Sequence, residues 1–177
     1  CAFINLPNLS GELVIPDTVV TIGSAAFGGC SGFTGSLIIP DSVVTINRGA
    51  FDNCSGFDGN LVLSNNLSLI DELAFNGCTG FTGNLVIPDS VTELGIKAFY
   101  NCSGFNGSLT IGKGIDKIAN YLADNGDGVM LVGSSTGSIG EMYNNMKARN
   151  ARIDLIVPAP YVAEAEGMTA NSIIAVD

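Results

Sequence analysis

Four of the five cysteines in this 177-residue chain fall at one interval: Cys30, Cys54, Cys78 and Cys102 are each 24 apart, leaving only Cys1 outside the set. Thiols in a column could bind a metal, oxidise to a disulfide ladder, or pack as small buried hydrophobes. Structural zinc draws on close pairs such as C-x2-4-C, and the chain has none. Stacking would bring the thiols within disulfide reach, yet inward thiols also pack well unoxidised, so free buried cysteines are the expectation. A secreted protein meets oxidant, which keeps the disulfide alternative open. Asp17, Asp41 and Asp89 form a second column, interrupted by Asn65. Stacked carboxylates could hold calcium, but no Asp-x-Asp-x-Asp loop is present, and each Asp follows a Pro where it suits a turn. In the tail, Gly133–Gly140 follows the apolar Leu131-Val132 like a strand, a Gly-rich loop and a helix start. Its amides could cradle a phosphate, but the spacing is neither G-x-G-x-x-G nor a P-loop, and no Lys follows. A capping loop is the expected reading, with a phosphate or nucleotide binder as a remote one. The chain has no His, the commonest general base and metal ligand. No enzyme activity, metal or cofactor is expected.

Charge narrows the partners. Seventeen acids against seven bases leave a net charge of −10, which argues against nucleic acid and against adsorption to anionic lipid. No apolar run reaches the roughly 18–20 residues that a membrane-crossing helix needs, so membrane insertion is not expected.

The elements that position these columns repeat with the same period. Phe3, Phe27, Phe51, Phe75 and Phe99 make one file, and Phe33, Phe57, Phe81 and Phe105 a second; together they hold all nine Phe. Gly32, Gly56, Gly80 and Gly104 make another file. One unit reads FTGSLIIPDSVVTINRGAFDNCSG, from Phe33 to Gly56. Within Ser36–Pro40, Leu37 and Ile39 share one face while Ser36 and Ile38 share the other, as in a short strand stopped by Pro. Pro40-Asp41-Ser42 suits a turn. Val43 and Ile46 recur at spacing three, and Ala50, Phe51 and Cys54 have the spacing of one inward helical or 3₁₀ turn.

A lone 24-residue coil cannot offset its ordering entropy with the few side chains it can bury. Neighbouring coils must cover one another, which predicts a right-handed repeat solenoid with each Phe on the next Phe and each Cys on the next Cys.

The pattern L-x-I-P-D-S-V-x-x-I-x-x-x-A-F-x-x-C, as in Leu37 to Cys54, closely resembles BspA-type leucine-rich repeats over residues 1 to about 118. The resemblance implies a leucine-rich-repeat fold on a secreted or cell-surface protein, with adhesion to host or microbial surface proteins as the associated role. The third unit departs, with Ser64-Asn65-Asn66 in place of Pro-Asp-Ser, and the fifth reads Gly112-Lys113-Gly114; looser turns are expected there. Two domains are therefore expected: a solenoid at 1–118, about five coils with the first truncated, and degenerate repeats with an α/β cap at 119–177. The tail suggests helices near 118–123 and 139–149, and strands near 129–132, 153–157 and 172–176. Alignment of Ala2-Phe3 with Ala26-Phe27 starts the chain in mid-coil, as in a piece of something longer. A lipidated Cys1 would want a flexible spacer, whereas Phe3 joins the array at once. Asn8, Asn53, Asn66, Asn101 and Asn106 sit in N-x-S/T sequons that an Asn- and Ser-rich repeat produces automatically.

Alternation turns Val14, Ile38, Val62, Val86 and Thr110 outward, beside Glu12, Ser36, Asn60, Asn84 and Ser108. Five rungs would make an apolar stripe roughly 20 Å long. Two explanations stand side by side: a covered binding surface, or the strand preference of Val and Ile. Three functions are carried forward. The first is a non-catalytic interaction module whose strand face meets a protein or glycan, with Val14, Ile38, Val62, Val86, Thr110, Ser36, Asn60 and Asn84 as its contacts. The second is a structural spacer within a larger surface protein. The third is the phosphate binder in the tail.

Overall fold

The structure is a computed structural model describing residues 2–95, 97–112 and 114, together with the strand residues 117–118, 155–158 and 173–176. The repeat becomes two parallel rows of very short strands. The first row carries β1 (Thr21–Ile22), β3 (Thr45–Ile46), β5 (Leu69–Ile70), β7 (Glu93–Leu94) and β9 (Lys117–Ile118), in that order. The second is split into two sheets: β2 (Leu37–Ile38) paired with β4 (Leu61–Val62), and then, not paired to β4, β6 (Leu85–Ile87), β8 (Leu109–Ile111), β10 (Leu155–Pro158) and β11 (Ile173–Val176) in that order. Register is held at 24: Thr21 faces Thr45, Leu37 faces Leu61, and Leu85 faces Leu109. Isolated bridges Val14–Ile38 and Asn60–Thr82 extend the second row.

The Phe files are literal stacks. Phe3, Phe27, Phe51, Phe75 and Phe99 follow at centroid spacings of 5.4, 5.3, 5.2 and 5.1 Å, with rings within 11° of parallel. Phe33, Phe57, Phe81 and Phe105 stack at 5.8, 5.3 and 5.9 Å. The two files meet edge to face at Phe27–Phe33 and Phe75–Phe81, the arrangement that ring quadrupoles favour. Leu37, Ile39, Val43, Ile46 and their repeats close a single core around them. The Gly32 file exists for clearance: a Cβ at Gly56 would run into the carbonyl oxygens of Ser31 and Phe33 on the coil before it.

The expected helical or 3₁₀ turn is not there; the described residues contain no helix. Alternate amides do different work instead. Ala50, Asp52 and Cys54 donate three residues back, to Asn47, Gly49 and Phe51. Gly49, Phe51 and Asn53 donate to Glu72, Ala74 and Asn76 of the following coil, at 2.7–2.8 Å. A helix would commit consecutive amides locally and leave the neighbouring coil without donors. Left-handed residues at Gly49 (φ 62°) and Asn53 (φ 58°) set the alternation, and Leu73 and Lys97 take the same conformation without being glycine.

The departing third turn is retied rather than loosened. Leu67 N–H bonds Ser64 C=O as Val43 bonds Pro40. Ser64 is fully buried, and its hydroxyl donates to Val43 C=O at 2.7 Å while accepting from Asn66 N–H. Asp41 reaches beyond its own turn: its carboxylate accepts from the backbone N–H of Asn65, one coil on, at 2.8 Å.

In the tail, β10 and β11 fall close to the expected strands at 153–157 and 172–176. They extend the second row, with Leu155 facing Leu109 and Ile173 facing Leu155. The other tail elements expected, the helices of the cap and the Gly133–Gly140 loop lie outside the described residues, as do Cys1, Lys113 and the side chain of Ile118.

Candidate functional site

The cysteine file is structural. Each thiol donates to a Phe carbonyl on the coil before it: Cys30 to Phe3, Cys54 to Phe27, Cys78 to Phe51 and Cys102 to Phe75, at 2.8–3.1 Å. From Phe27 onward the same carbonyls also accept the turn amide of Cys30, Cys54 or Cys78. All four cysteines are free and buried. Burial pushes the Cys54 thiol up to about 12 and holds Cys78 and Cys102 well above the usual thiol range. A thiol held protonated is neither a nucleophile nor a ready metal ligand. Among the described residues no three metal-binding side chains gather, and no helix is long and apolar enough to cross a membrane.

The strand face remains. Val14 is 79 % exposed, Ile38 59 %, Val62 48 % and Val86 47 %, one per coil. Val14, Ile38 and Val62 pair in direct register, and Val86 begins the next sheet, in register with Thr110. Thr110 is only half-buried, so the stripe fades at its fifth rung. Inward neighbours Leu37, Leu61 and Leu85 fix each strand from behind, leaving the outward side chain no freedom to turn in. Ser36, Asn60 and Asn84 are exposed beside the stripe as expected, but they also staple the rungs. Ser36 hydroxyl accepts from Asn60 N–H at 3.0 Å, and Asn84 carbonyl accepts from Ser108 N–H at 2.9 Å. Between rungs, Asn60, Val62, Asn65, Asn84, Val86 and Pro88 line an open groove of about 490 Å³.

Three features escaped the reading of residues. Val20 and Val44 are exposed on the approach to β1 and β3, hidden in the sequence because Val19 and Ile22 carry the inward spacing. Arg48 reaches Glu72 at 3.2 Å across a coil boundary, a pairing that only stacking reveals. At the first coil an open hollow of about 530 Å³ is lined by Phe3, Leu9, Leu13, Ile15, Val19 and Phe27.

The family model for the BspA type leucine rich repeat region matches residues 1–125 in six copies. Comparison with curated proteins and with solved structures returned no match. Repeats of this kind are generally non-catalytic and are often carried by surface proteins that act through interaction. With the parallel rungs, the Phe and Cys files and the match over most of its length, the chain belongs to the BspA type leucine-rich-repeat family.

Proposed function

We propose that the protein is a non-catalytic interaction module of a secreted or cell-surface protein, presenting its strand face to a protein or glycan partner. The observation that carries this reading is the repeat of Val14, Ile38, Val62 and Val86: four exposed aliphatic side chains at the same place on successive coils, the first three in direct register. A contiguous apolar surface of this kind marks an interaction site more often than bare solvent-facing structure. Solenoids offer broad faces suited to recognition, and the buried thiols offer no chemistry that competes with it.

The test is a double substitution, Ile38→Lys with Val62→Lys, assayed against an array of extracellular host and microbial proteins and glycans. Both side chains point to solvent, so the unfolding midpoint should stay near that of the parent. Binding to a partner of the parent protein should fall by at least about tenfold. A structural spacer would be indifferent, and undiminished binding with the fold intact overturns the reading.

A further inference from the structure

The stripe lacks charge along its centre but not along its edges. Between residues 2 and 112 the chain carries nine carboxylates and two cations. Five of those carboxylates border the stripe. Glu12 and Asp58 precede Val14 and Val62 on one side; Asp17, Asp41 and Asp89 follow Val14, Ile38 and Val86 on the other. Asp41 is fixed at that edge by its bond to Asn65, which itself lines the groove. Asp58 is fixed at the opposite edge by accepting from Gly35 N–H at 2.7 Å. Both cations of that range sit elsewhere on the coil, in the turns after the first strand row, and the next one along the sequence, Lys113, takes the Asp position of the fifth unit. Arg48 is engaged by Glu72, and Lys97 stands over the Tyr100 ring at 5.1 Å.

We propose that this face docks a protein segment with an aliphatic centre and Lys or Arg on its flanks, the mirror of its own apolar stripe and acidic borders. The inference deepens the interaction reading above and rests on it. Aliphatic rungs return the desolvation of another apolar surface, which a hydroxyl-covered sugar cannot supply. The bordering carboxylates select the sign of the flanks, repelling acidic surfaces and raising the encounter rate with basic ones. A second copy of this chain, with its own acidic borders, meets like charge on both sides.

Two synthetic peptides with one alternating Val/Ile centre, flanked by Lys in one and by Glu in the other, test this by fluorescence anisotropy on the full chain. The Lys-flanked peptide should bind at least about tenfold tighter, with affinity falling as salt rises. Ile38→Ser with Val62→Ser should abolish binding. Asp41→Asn with Asp89→Asn, which keeps side-chain shape, should narrow the difference between the peptides and flatten the salt dependence. Equal affinity for both peptides, lost in the Ser variant, overturns the charge selection and leaves the interaction face standing. Binding that ignores the Ser variant in a chain of unchanged unfolding midpoint removes both readings. A dimer in sedimentation that Ile38→Lys dissolves assigns the stripe to a second copy and overturns the proposal.

Discussion

Phe3 and Phe75 hold the same place in the repeat, 72 residues apart in number, yet Phe3 is 45 % exposed and Phe75 fully buried. Ile4 and Leu6 share the exposure of Phe3, while Ala74 and Cys78 share the burial of Phe75. The residue types match; the neighbours do not. Phe75 has a ring stacked on each face, Phe51 and Phe99, whereas Phe3 stacks on Phe27 alone among the described residues. In this molecule burial belongs to the stack, not to the unit.

That contrast can be broken most sharply at the phenyl file. Phe75→Ala opens a cavity between Phe51 and Phe99 and should cost about 3–5 kcal/mol, read as a lowered urea midpoint. Phe3→Ala loses one stacked face and should cost about 1 kcal/mol. Equal costs would mean that the second stacked ring adds nothing.

The thiols refine the comparison through pH. An unfolded thiol ionises near its ordinary value of 9.0, and folded Cys54 only at about 12. Between those values the folded chain keeps a proton that the unfolded chain has released, so rising pH draws the equilibrium toward unfolding. Stability should be whole below pH 9 and decline progressively toward pH 12. Urea midpoints across that range should fall less steeply for Cys54→Ala with Cys78→Ala than for the parent. The smallest effect is expected at Arg48, 63 % exposed, whose bond to Glu72 crosses between coils at the surface. Arg48→Ala should move the midpoint by no more than about 0.5 kcal/mol, since solvent screens the pair.

Much of this architecture was legible in the residues. The Phe and Cys files, the strand at Leu37–Ile38 and the outward place of Val14, Ile38, Val62 and Val86 follow from period and alternation alone. What escaped depends on the coil next door. Ala50, Phe51 and Cys54 have helical spacing, but whether Phe51 N–H turns inward to its own coil or across to Ala74 is decided by an acceptor 23 residues away. Ser64 reads as a weak substitute for Pro until Val43 C=O appears beneath it. Asp41 reads as a local cap, and its partner Asn65 lies 24 residues on. At the candidate face, alternation located the stripe and period located the Asp column, but a total of −10 did not say that the carboxylates flank the stripe.

The backbone bonds that the Phe file makes across coils run one way: Phe3 donates to Ala26, Phe27 to Ala50, Phe51 to Ala74 and Phe75 to Ala98. Each coil therefore hands its successor the same atoms that it received from its predecessor. A gene that gains or drops whole units of 24 codons preserves every junction, whereas a slip of any other length breaks the register at the coil where it falls. The height of the array is thus free to drift under recombination while its phase is not.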